Sequence, residues 1–201
     1  MKKNIPNIIR VIISILFILS AIAKLYPSPY FAITTFEAKQ LLPLGFSSEI
    51  APYFSRFLIG IELCLGLAIL QANYLKKIVI PSTILLLLAF CIHLSYDIFI
   101  NGGTGNCGCF GELIPMTPMQ ALIKNIISIL LLIYLFRKID FNKILHNKFS
   151  VLIILFLASS LFIFVIAPIR KYDNNTQVKG VLNKETLSSL DVNSPKKVES
   201  Q

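Results

Sequence analysis

The sequence predicts an all-α membrane protein: an antiparallel four-helix transmembrane bundle followed by a fifth, C-terminal transmembrane helix. Three observations carry this. Hydrophobic residues fill 55% of the 201 positions and charged residues only 14%, with a mean hydropathy of +0.74, more apolar surface than a soluble domain of this size needs. Five continuous apolar runs, 8–25, 54–70, 78–98, 119–136 and 151–167, each approach the ~20 residues that cross a hydrocarbon core. The basic residues gather in a few short stretches between those runs. Lipid offers the backbone no hydrogen-bond partner, so each run must be a helix. Unbroken rather than alternating apolarity excludes a β-barrel.

The net charge of +9 would suit a nucleic-acid partner, but its distribution points to membrane lipid instead. Lys2, Lys3, Arg10, Lys76, Lys77, Arg137, Lys138, Lys143 and Lys148 lie in three regions that share one side of a five-span chain. The positive-inside rule makes that side, and the N-terminus, cytoplasmic. The connection 99–117 holds neither Lys nor Arg and is expected on the extracytoplasmic side. The C-terminal tail is expected there too, although Arg170 and Lys171 run mildly against the rule. The first run also fits a signal peptide ending at Ala21-Ile22-Ala23. It continues to full spanning length, and either reading leaves the next loop outside.

Taken in order, the connections refine the bundle. In 26–52, apolar residues alternate with Glu37, Lys39 and Glu49. A short helix over 31–42, lying on the outer surface and ended by Pro43 and Gly45, competes there with an ordinary loop. The fourth span opens on Thr117-Pro118-Met119-Gln120: an N-cap, a proline at the first helical position and a capping box. Short connections at 71–77 and 137–148 predict antiparallel neighbours. The expected organisation is a four-helix membrane domain over 1–137, a cytoplasmic loop and additional helix over 138–167, and a polar, partly disordered extracytoplasmic tail over 168–201.

The chemistry centres on Cys107-Gly108-Cys109, inside Gly102-Gly103-Thr104-Gly105-Asn106-Cys107-Gly108-Cys109-Phe110-Gly111-Glu112. Two cysteines one residue apart approach the upper Cα separation for a disulfide, about 6.8 Å, when the chain is extended. Gly108 gives the freedom to bend. A bridge over so small a ring would be strained and exchange readily, the profile of a redox pair. Three other readings stay open: a structural staple closing almost no chain, capture of copper(I) or zinc by thiolates, and an inert pair. The loop contains no histidine to complete a metal site, and no metal ligand set is assigned.

Other polar residues lie within the spans, where they are costly. Glu62 stands mid-span, with Lys24 and Lys124 at levels where one of them can pair with it. The result is a structural ion pair or a site for protons or a quinone headgroup. His93 and Asp97 share a helix face at i, i+4, either as a satisfied boundary pair or with Asp97 orienting His93 to take a thiol proton. Cys64 and Cys91 differ in depth by only about 4.5 Å. They are candidates for a second thiol pair, against the plainer reading of two small buried residues.

Several of these motifs together resemble the MauE branch of the DoxX-like membrane proteins. The similarity runs over about 8–136: Phe17-Ile18-Leu19-Ser20-Ala21-Ile22-Ala23-Lys24-Leu25, Ile61-Glu62-Leu63-Cys64-Leu65-Gly66, Asn106-Cys107-Gly108-Cys109-Phe110-Gly111-Glu112, Thr117-Pro118-Met119-Gln120 and Lys124-Asn125. The resemblance implies a four-helix protein of a bacterial inner membrane associated with thiol redox chemistry, and MauE itself is linked to maturation of a disulfide-rich enzyme subunit. It also implies Cys107 and Cys109 as the redox pair, with Glu62, Lys24 and Lys124 at family polar positions. The bundle is similar in architecture to quinone-linked disulfide-forming enzymes, which makes a quinone the candidate cofactor. The fifth span and the tail lie beyond the family core.

The expected function is therefore that of an inner-membrane thiol–disulfide redox protein. Cys107 and Cys109 would exchange with a periplasmic thiol or thioredoxin-like protein. The alternatives are a soft-metal-binding transport protein and a non-catalytic assembly factor.

Overall fold

The computed structural model describes residues 5–26, 28–37, 41, 42, 44–71, 74–102, 113, 114, 116–139 and 149–169, all within one unit, Met1–Ile169. Among them the elements are helices: α1 (Ile5–Ala23), α2 (Pro29–Phe36), α3 (Ala51–Leu70), a π-helical turn (Leu75–Val79), α4 (Ile80–Asn101), α5 (Pro118–Lys138) and α6 (Phe149–Ile166). Five of them, counting the π-turn with α4, are long and apolar enough to cross a membrane. The chain is a multi-pass membrane protein, and each of the five runs read from the sequence becomes one span.

Helix α3 organises the bundle because two of its faces carry small residues. Arg56, Gly60 and Cys64 recur every fourth position and share one face, while Glu62 and Gly66 share another. At Gly60 a Cβ would lie 3.0 Å from the Ser160 Cα of α6, and at Gly66 a Cβ would lie 3.0 Å from the Phe17 Cβ of α1. Lipid gives no hydrophobic force between helices, so close backbone approach over small residues supplies the packing. Helix α6 is thus fitted along α3. It buries Ser159 and Ile163 and turns residues such as Val165, 69% exposed, outward.

The antiparallel expectation holds, but chain order does not give the neighbours. Helices α4 and α5 lie along each other and α1 lies along α3, whereas the consecutive pair α3 and α4 meets only sparingly. The reason is a split in the interior. Toward the Arg10 end, Ile13, Ile69, Val79, Ile80, Leu132 and Leu135 form a closed apolar core. Toward the Lys24 end the four spans part around a cavity.

Several charges assigned to topology also close helix ends. Arg10 donates to the carbonyls of Ile69, Leu70 and Gln71 at 2.9, 2.6 and 2.9 Å, where α3 ends. Lys76 donates to Ile139 O at 2.8 Å, where α5 ends. Terminal helix carbonyls lack intrahelical partners and carry partial negative charge, so both contacts satisfy and neutralise them.

The expected surface helix lies deeper than its sequence pattern suggests, and past its α-helical part Glu37 and Leu41 are π-helical, with Leu42 N donating to Glu37 O at 3.0 Å. Helix α2 ends at Phe36, and Ile33 is fully buried among Ala21, Ile59, Ile163 and Ala167. A helix at a membrane boundary can face three neighbours at once, which a simple in-or-out pattern does not represent.

Candidate functional site

Ser20 and Lys24 follow one another by four residues at the end of α1 and therefore point the same way. Glu62 of α3 meets both: Lys24 Nζ lies 2.7 Å from Glu62 Oε2 and 2.9 Å from Oε1, and also donates to Ser20 Oγ at 3.0 Å. The ammonium stands 5.6 Å from the Phe90 ring centroid of α4, a cation–π distance. Both partners are almost wholly buried, Lys24 at 3% and Glu62 at 2% exposure. The interaction thereby joins three spans. Removing one member of such a pair strands a buried charge, at a cost of about 3–5 kcal/mol.

This pair forms part of the wall of a cavity of about 210 Å³. Phe17, Phe36, Phe54 and Phe90 give it apolar sides, while His93 of α4 and Lys124, Asn125 and Ser128 of α5 bring polar groups to it. Lys124 thus borders the same space as Glu62, but the carboxylate pairs with Lys24. Asp97, one turn along α4, acts electrostatically on His93.

The two span cysteines are both free thiols in different surroundings. Cys64 is buried on the α3 face that meets α6 at Gly60, while Cys91 is half-buried on α4. No disulfide joins them. Cys107, Gly108 and Cys109 lie outside the described residues. The helix ends that bracket their connection are described. Gly102 ends α4 with φ +70°, a left-handed conformation that glycine adopts freely. At the start of α5 the capping box is complete: Gln120 N donates to Thr117 Oγ1 at 3.3 Å, and Thr117 N donates to Gln120 Oε1 at 3.1 Å.

A second buried ion pair was not read from the sequence as a site. Arg56 Nη1 lies 2.9 Å from Glu37 Oε1 and donates to Pro52 O at 2.8 Å. Its Nε donates to Ala167 O at 2.6 Å, and Nη2 approaches Pro168 O at 3.4 Å. Ser55 completes the group by bonding to the Glu37 carboxylate. The signal was present: an arginine two residues inside an apolar run, preceded by a glutamate on a short helix.

Fold and cavity define the class: a multi-pass helical membrane protein with ionisable side chains buried between its spans. The chain belongs to the MauE family, described as methylamine utilisation protein MauE, which matches residues 2–137. It is also similar to Protein TlpB of Flavobacterium psychrophilum, with 60% identity over 183 residues that make up 90% of this chain and 50% of that protein. The chain therefore spans about half the length of this relative. No solved structure matches it.

Proposed function

We propose that the chain is a thiol–disulfide redox protein of a bacterial inner membrane, with Cys107 and Cys109 as the exchanging pair on the extracytoplasmic side. One observation carries the reading: the connection between the Gly102 and Thr117 caps contains a Cys-Gly-Cys run, while the other two cysteines of the chain lie within spans. Family membership supports association with redox maturation.

Exchange proceeds by attack of one thiolate on a partner disulfide, giving a mixed disulfide that the second thiol resolves. A glycine between the two sulfurs suits that second step, because it lets the resolving thiol swing toward the mixed disulfide. The partner is a periplasmic thiol protein. His93 and Asp97, on the α4 face that leads to this connection, are the candidate proton acceptor and its orienting carboxylate.

Single Cys107→Ala and Cys109→Ala chains test this, with thiol adducts trapped in cells by acid quenching and alkylation. One of the two is expected to accumulate a mixed disulfide that reduction releases. Absence of any adduct on both removes the reading. Stoichiometric copper(I) or zinc on the reduced protein, lost with Cys107, would replace it with soft-metal transport.

A further inference from the structure

The cavity wall carries an unmet hydrogen-bonding demand. Asn125 is 1% exposed and borders the cavity. Among the described residues, its Oδ1 has no hydrogen-bond partner. Leaving a buried acceptor unsatisfied is costly, so the site favours an occupant bringing an O–H or N–H group.

The remaining wall restricts that occupant. The volume of about 210 Å³ exceeds the roughly 150 Å³ of an apolar protein cavity that takes up benzene. It falls short of the ~300 Å³ at which drug-sized sites begin. One substituted six-membered ring fits. The phenylalanines supply faces for it, and Lys124 and His93 border the same space as donors for an oxygen acceptor. Leu44 and Ala89 border the cavity and are themselves exposed. Ala89 lies on α4 between Leu85, 70% exposed, and Ile92, 72% exposed, residues that face lipid. Ala89 thus stands where the cavity wall meets the lipid-facing side of α4, a place where a tail can pass into the hydrocarbon layer.

We propose that this cavity binds the ring of a lipid-soluble hydroquinone. A ring hydroxyl donates to Asn125 Oδ1, the other ring oxygen accepts from Lys124 or His93, and the tail leaves past Ala89. The assignment rests on the thiol-exchange reading and deepens it by giving the electrons a destination. Closing Cys107 and Cys109 from dithiol to disulfide breaks two S–H bonds and forms one S–S bond. The two electrons and two protons released reduce a quinone to a hydroquinone.

Binding is measured on the full chain in detergent by anaerobic equilibrium dialysis against decylhydroquinone. Saturable uptake of one ring per chain is expected. Asn125→Leu should weaken it about tenfold or more, the loss of one hydrogen bond to a buried acceptor. Ala89→Trp, a change at an exposed position, should block it, and decane should not compete. Unchanged affinity in Asn125→Leu overturns the proposal, as does displacement by decane. If Asn125→Leu does not fold, unchanged affinity in Ala89→Trp overturns it instead. Cys107→Ala is expected to bind the ring like the native chain, which separates the two readings. Lost ring binding with mixed disulfides still trapped removes this site alone. Intact binding without mixed disulfides removes exchange and leaves the site.

Discussion

Glu62 and Glu37 are each buried to 2% exposure and each paired with one cation, yet the two pairs stand in opposite circumstances. Lys24 meets the Glu62 carboxylate, a neighbouring hydroxyl and an aromatic ring, beside an open cavity. Arg56 meets the Glu37 carboxylate and three backbone carbonyls, two of them just past the end of α6. A compact ammonium suits the first setting. The second uses the forked geometry of a guanidinium, with several donors fixed in one plane. The comparison teaches that the Arg56 pair is part of the scaffold, whereas the Lys24 pair charges a space the scaffold leaves free.

The sharpest way to break this comparison is to remove each cation. Arg56→Leu is expected to have the largest effect, about 3–5 kcal/mol, because it strands both Glu37 and the carbonyls of Ala167 and Pro168. Adding Glu37→Leu should recover little, since those carbonyls stay orphaned. Thermal unfolding in detergent and proteolysis of α6 report it.

Lys24→Met alone is expected to cost about 3 kcal/mol for the buried carboxylate it leaves. Lys24→Met with Glu62→Met should regain most of that, since a paired apolar replacement leaves no orphaned charge. Midpoints of denaturant unfolding for the three chains make the measurement. Equal rescue at both sites would erase the distinction between them.

Smaller effects test the two faces of α3. Gly60→Leu and Gly66→Leu should each cost about 1–3 kcal/mol through overpacking. The first should loosen α6 and the second α1, read as new reactivity of single cysteines placed in those helices. Thr117→Ala, which removes the cap of α5, should cost about 1 kcal/mol and shows in hydrogen exchange of the first α5 turn.

The sequence displayed the spans well, because twenty apolar residues have one solution in lipid. It also displayed Lys24 and Glu62, because charges inside such runs stand out. Thr117 and Gln120 were legible for a local reason: a capping box is complete within four residues. Partners were less legible. Periodicity states which residues share a face but not which helix covers it, so α6 looked like an appendage while Arg56, Gly60 and Cys64 were already spaced to receive it. Cys64 and Cys91 show the same limit. Their depths agree, but depth is one coordinate, and the packing of the Cys64 face of α3 against α6 reveals the rotation that the count omitted. The cavity could not be read at all, because it arises where α3 and α4 meet only sparingly.

The π-turn at Leu75–Val79 has a consequence for that cavity. Val79 N reaches back five residues to Tyr74 O at 3.2 Å, so the turn holds one more residue than an α-turn. Each residue of an α-helix advances the azimuth by about 100°. The extra one thus acts as a phase setting for all of α4, and it brings Phe90, His93 and Leu94 round to the interior. Tightening this turn to α geometry with all its residues kept would swing His93 by about one such step toward lipid, whereas deleting the extra residue would let an α-turn form with the histidine still facing inward.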